Sequence, residues 1–86
     1  MIKVERNDDN TFTVTINKIG TTTHRVTVSD DYHQKLTAGR ESKEDLVKRS
    51  FEFLLQRESN QSILSSFELS VIQRYFPEYE RTISTA

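Results

Sequence analysis

The stretch TFTVTINKIGTTTHRVTVSDD, residues 11–31, decides the fold of this 86-residue chain. Apolar and polar residues alternate strictly from Thr11 to Ile16, which predicts a strand with one buried face. Gly20 follows in a turn segment, where glycine can take a positive φ at no steric cost. The alternation resumes from about Thr21 to Val28 and predicts a second strand. Ser29 and the two aspartates after it predict a helix N-terminus, since serine caps helices and acids favour their positive end.

The N-terminal residues add one more strand. Ile2 and Val4 alternate with Lys3 and Glu5, and the cluster NDDN at residues 7–10 is typical of a turn. We therefore predict a three-stranded antiparallel meander with one apolar face. That inward face carries Phe12, Val14, Ile16, His24, Val26 and Val28.

The middle of the chain predicts two helices. The first is short, carries Tyr32 and Leu36, and ends before Gly39, which is expected just after the C-cap. The second begins at Ser42 and runs to about Arg57. Glu44 and Asp45 follow the serine, and acidic residues are favourable in the first turn of a helix.

The C-terminal part is less regular in pattern. Residues 63–69 are expected to form a short helical turn or an ordered loop. Ser70 predicts a capping box at the start of a last helix, and Pro77 ends that helix because proline cannot continue it. Beyond it, the sequence predicts a frayed tail in which only Tyr79 is a candidate for docking.

These elements predict an α+β fold: a three-stranded antiparallel β-meander followed by two or three α-helices packed on one face. Residues 1–78 are expected to form a single domain, and residues 79–86 a flexible C-terminal tail. The predicted core consists of Phe12, Val14, Val26, Val28, Leu46, Phe51, Leu54 and Ile72.

Composition narrows the class of protein. The chain has no cysteine, which excludes disulfides and thiolate chemistry and fits a reducing compartment. No apolar run reaches the roughly 20 residues that a membrane span needs, and the N-terminus lacks the apolar region of a signal peptide. The net charge of −1, with acids and bases interleaved, gives no strong field toward nucleic acid or a membrane. A soluble cytoplasmic protein is the expectation.

The search for catalytic chemistry yields no constellation. The histidines, His24 and His33, have no second cluster of ligands that would complete a metal site. The two aspartates at 8 and 9 fit turn chemistry, and the serines lack a positioned base and an oxyanion hole. We predict no enzyme activity, no metal and no cofactor.

The outward positions of the strands are the candidate binding residues. They form a polar face that is either a solvated sheet surface or a reading surface for a peptide or nucleic acid. The predicted binding residues are Thr13, Thr15, Thr23, Arg25 and Thr27.

Residues 23–58 resemble the ribbon-helix-helix pattern of bacterial repressors and antitoxins. HRVTVSDD at 24–31 is similar to that family's strand and the start of its first helix, in which Leu36 fits a core position. GRES at 39–42 resembles the turn between the two helices. The stretch from Leu46 to Phe53 resembles the second helix. The resemblance implies a dimer in which Thr23, Arg25 and Thr27 enter the major groove. The family pairs this strand across the dimer, so the resemblance requires residues 21–28 to be a free edge.

A second resemblance covers nearly the whole chain. TTTHRVTV at 21–28, SFEFLLQRE at 50–58 and SVIQRYFPEY at 70–79 are similar to small uncharacterised bacterial proteins. That resemblance implies a stand-alone bacterial cytoplasmic protein and supplies no activity.

Together these features predict a non-catalytic binding or regulatory module that acts through protein-protein contacts. The expected partners are an unidentified protein and, if residues 21–28 form a free edge of the sheet, a second copy of the chain. The alternative is an antitoxin-like DNA-binding dimer of ribbon-helix-helix type. Nucleic acid is a partner only in that alternative, and a membrane in neither.

Overall fold

A computed structural model describes residues 1–85 and contains a four-stranded mixed sheet in the order β1-β2-β3-β4. The first three strands are the predicted antiparallel meander: β1 (Ile2–Arg6), β2 (Thr11–Lys18) and β3 (Gly20–Thr27). Phe12 pairs with Val26 and Val14 with His24, which aligns the apolar faces of β2 and β3. Gly20 has a φ of 73°, as the tight turn requires.

The fourth strand was not predicted. β4 (Ser66–Glu68) runs parallel to β3, with Arg25 opposite Ser66 and Thr27 opposite Glu68. The sequence suggested a helical turn or a loop for this region. A 3-10 turn (Asn60–Ser62) does precede the strand. Because β4 covers the C-terminal half of β3, residues 25–27 are internal to the sheet and do not form the free edge that the ribbon-helix-helix resemblance requires.

The two predicted N-caps of the middle helices are confirmed. The Ser29 hydroxyl accepts a bond from the Tyr32 N–H at the start of α1 (Asp30–Thr37), and the Ser42 hydroxyl accepts one from the Asp45 N–H at the start of α2 (Lys43–Leu55). α1 ends at a left-handed Ala38, which Gly39 follows with a φ of 74°.

The C-terminal region corrects two predictions. Ser70 does not cap a helix: it lies inside a second 3-10 turn (Leu69–Val71) that leads into α3 (Ile72–Tyr75). The predicted flexible tail contains α4 (Tyr79–Ile83), in which Tyr79 is fully buried and Ile83 nearly so. An apolar pair four residues apart on a helix faces one way, so both side chains reach the core.

The core lies between the inner face of the sheet and the helices. All eight predicted core residues are buried, which confirms that part of the prediction. The structure adds four buried apolar residues from the chain beyond α2: Ile63, Leu69, Tyr79 and Ile83. Among the helices of residues 1–85, none is long and apolar enough to cross a membrane.

Candidate functional site

The two histidines have structural hydrogen bonds. His24 is buried, its Nδ1 lies 2.7 Å from the carbonyl of Leu64, and its Nε2 lies 2.9 Å from the Thr22 hydroxyl. A carbonyl can only accept, so Nδ1 carries the proton and donates to Leu64. His33 likewise places Nε2 2.6 Å from the carbonyl of Glu41. Each ring thus fastens a loop to its neighbouring element.

Other candidate groups are also accounted for by local structure. The Asp8 carboxylate accepts bonds of 2.9 Å from the backbone N–H groups of Asn10 and Thr11, which closes the predicted turn. The first of these bonds is the main reason why the pKa of Asp8 lies below its usual value. Within residues 1–85, no three His, Cys, Asp or Glu side chains gather as metal ligands would.

The predicted binding residues lie together on the outer face of the sheet, which we call the threonine face (Thr13, Thr15, Thr23, Arg25 and Thr27). Thr13 is paired with Arg25, and Thr15 with Thr23. The first two threonines are half-buried, and the other three side chains are exposed. The structure therefore brings all five into one surface.

The charges on this face are mixed. Lys3 lies in the row of Thr15, Glu5 in the row of Thr13, and Glu68 in the row of Thr27. Arg25 thus shares the face with one further cation and two carboxylates. A surface that binds nucleic acid concentrates cations to neutralise phosphates, and this one does not.

The sequence did not predict a second candidate surface that the structure contains. It is an apolar cavity of about 140 Å³ between the C-terminal end of α2, the loop before β4 and α3, and we call it the α3 groove. Its floor is buried and its walls are aromatic. The apolar side chains that line it are Leu54, Ile63, Leu64, Phe67, Val71, Ile72, Tyr75 and Phe76.

The rim of the α3 groove exposes large apolar side chains to solvent. Tyr75 is 65% exposed and Leu64 is 46% exposed, although both lie beside the buried floor. Leu64 also carries the carbonyl that His24 binds, so the loop that forms this wall is fixed to the sheet. The groove is therefore a preformed apolar concavity with exposed anchors on two sides.

Glu58 is the acidic side chain of the groove. Burial raises the pKa of its carboxyl above the usual value. Among the described residues, no cation pairs with it and no hydrogen-bond donor reaches its carboxylate. The adjacent Arg57 is engaged elsewhere: its Nε lies 3.0 Å from a carboxylate oxygen of Glu78, and its guanidinium lies 3.6 Å from the Phe53 ring centre. The groove therefore has an uncompensated negative charge at its rim.

Comparisons with known proteins do not assign this site. No protein-family model, no curated protein and no solved structure matches the chain.

Proposed function

We propose that the protein is a non-catalytic binding module that acts through protein-protein contacts, and that its contact surface is the α3 groove. The observation that carries the proposal is the exposure of Leu64 and Tyr75 around a preformed apolar floor. Tyrosine is among the residues that most often carry the binding energy at protein interfaces. Contiguous exposed apolar patches mark interaction sites and ligand-binding grooves.

The charge of the groove defines the partner. A carboxylate that is partly withdrawn from water and has no cation beside it is stabilised by a lysine or arginine from outside. We therefore propose an amphipathic protein segment that places an apolar side chain on the floor and a basic side chain beside Glu58. A helix that presents apolar residues at i, i+3 and i+4 has this form.

The experiment is a titration with a designed amphipathic peptide of leucine, lysine and alanine, about 15 residues long so that a helix can form. Binding is followed through the backbone amide resonances of the protein. We expect the resonances of Leu54, Ile63 and Phe67 to shift. Tyr75→Ala should weaken binding about tenfold, as loss of an interface anchor does. Shifts confined to the threonine face would contradict the proposal.

The threonine face supports a second candidate, the antitoxin-like DNA-binding dimer. One observation favours it: the predicted residues, Arg25 included, form a single exposed surface. The pairing of β3 with β4 and the mixed charge of the face weigh against it. Duplex binding at two salt concentrations, with Arg25→Ala for comparison, tests it, since phosphate contacts make affinity fall steeply with salt.

A further inference from the structure

The outer strand β1 has backbone groups that no strand among residues 1–85 covers. Met1 and Asn17 exchange two hydrogen bonds, of 3.0 and 3.2 Å, and the Asn7 N–H donates to the Thr11 carbonyl. Bonded and non-bonded pairs alternate along an antiparallel ladder. Lys3 and Glu5 therefore bond to β2, whereas the N–H and C=O groups of Ile2, Val4 and Arg6 point away from the sheet.

We infer that this edge pairs with the same edge of a second copy of the chain, antiparallel about a two-fold axis at Val4. Val4 then faces Val4 of the other copy, and Ile2 faces Arg6. Each facing pair exchanges two hydrogen bonds, because these are the residues whose backbone groups point outward. The two sheets join into one continuous sheet.

The charges on β1 select this register and this partner. Lys3 and Glu5 are both on the outer face, and their side chains are 68% and 57% exposed. With the axis at Val4, Lys3 of each copy lies opposite Glu5 of the other. Moving the axis to Lys3 or to Glu5 sets two like charges directly opposite, which is unfavourable. A two-fold axis midway between Lys3 and Glu5 therefore pairs each charge with the opposite charge of the second copy.

The structure leaves the edge ready for this pairing. The Arg6 side chain is held on α2, with its Nε 3.1 Å from a Glu44 oxygen, while its backbone stays at the edge. Ile2 and Val4 are only half-buried and gain cover from the second copy. A five-residue strand makes a small interface, so the dimer is weak and depends on concentration. It also uses the edge opposite β4, which places it apart from the α3 groove.

Charge exchange tests the dimer. Lys3→Glu leaves two acids on the strand, and Glu5→Lys leaves two bases, so each variant alone should self-associate about tenfold more weakly than the wild type. An equimolar mixture of the two variants restores opposite charges at both positions and should recover the wild-type affinity. Arg74→Glu, the same charge change on exposed α3, should have no effect.

Sedimentation over a concentration series gives the result. We expect a wild-type monomer–dimer equilibrium, two variants shifted toward monomer, and a mixture shifted back toward dimer. The inference is overturned if the wild type stays monomeric up to about 1 mM, the weak limit for a specific small interface. It is equally overturned if the mixture associates no better than either variant. Neither result alters peptide binding in the α3 groove, so the two proposals fail separately.

Discussion

The hydroxyl of Tyr79 lies 2.7 Å from the Oγ of Ser50, and both residues are fully buried. The Ser50 hydroxyl also lies 2.7 Å from the Leu46 carbonyl, which can only accept, so its single proton goes there. Tyr79 is therefore the donor in the bond with Ser50. Its ring packs edge-on against Phe53, with centroids 5.2 Å apart. This bond and this ring contact join α4 to the middle of α2.

The first prediction concerns this docking. Tyr79→Phe removes one buried hydrogen bond but leaves Ser50 satisfied by Leu46, so it should lower the free energy of unfolding by about 0.5–1.5 kcal/mol. Tyr79→Ala also leaves a cavity and should cost about 3–5 kcal/mol. Urea denaturation midpoints measure both. If residues 79–86 were a frayed tail, neither variant would move the midpoint.

The second prediction concerns Phe51, which is fully buried. The centroid of its ring lies 5.5 Å from that of His24 and 5.9 Å from that of Phe67. Phe51→Ala should cost about 3–5 kcal/mol, a large part of the stability of a chain this short. Tyr75→Ala is the matched control: it truncates an exposed aromatic residue and should change stability by less than about 0.5 kcal/mol. Equal midpoint shifts for the two variants would contradict this assignment of the core.

The third prediction separates a true helix cap from a false one. Ser42→Ala removes the acceptor of the Asp45 N–H, 3.1 Å away, and should cost about 0.5–2 kcal/mol. Ser70→Ala replaces a serine in a 3-10 turn, where the sequence predicted a cap and the structure shows none, and should cost less than about 0.5 kcal/mol. Thermal unfolding of the two variants gives the comparison, and a larger loss at Ser70 would reverse the assignment.

The fourth prediction concerns acid sensitivity. The Lys43 ammonium is buried, forms an ion pair with Asp30 and also donates to the carbonyl of Asp9 and the Oδ1 of Asn10. The bond from Lys43 is the main reason why the pKa of Asp30 lies below its usual value. A group whose pKa falls on folding stabilises the native state above its unfolded pKa, near 4 for aspartate, and this contribution is lost as pH falls.

Asp30→Asn should therefore be less stable than the wild type at pH 6, and the difference should shrink toward pH 2.5. In a Lys43→Met background the same substitution should show a much smaller pH dependence, because the main cause of the low pKa of Asp30 is gone. Denaturant midpoints over this pH range test the pair. A wild-type advantage that grows as pH falls would have the wrong sign for this ion pair.

The sequence predicted the elements whose pattern is local. Strict alternation in residues 11–16 and the caps at Ser29 and Ser42 are signals carried by neighbours in the chain, and the structure confirms them. β4 has only three residues, too few for a period, and it exists because Arg25 to Thr27 offer it a partner far away in sequence. The four-residue spacing of Tyr79 and Ile83 is typical of one face of a helix. A single such pair within a five-residue segment is too short a pattern to predict a buried helix.

The candidate surfaces divide in the same way. The threonine face follows from alternation, so the sequence could place its residues on one side of the sheet. The α3 groove joins the end of α2, the loop before β4 and α3, and no local pattern brings these together. No local pattern indicates the burial of Lys43 either, because that burial depends on the loop at residues 7–10.

The central claim is that Glu58 makes the α3 groove select a basic amphipathic segment. Its most direct test is the affinity of the leucine–lysine–alanine peptide against a matched leucine–glutamate–alanine peptide, measured for the wild type and for Glu58→Lys. Glu5→Lys is the control, since it makes the same charge change on β1. We expect the wild type and the control to prefer the lysine peptide by about tenfold, and Glu58→Lys to prefer the glutamate peptide. The claim is contradicted if neither peptide binds at the groove, or if Glu58→Lys leaves the preference unchanged.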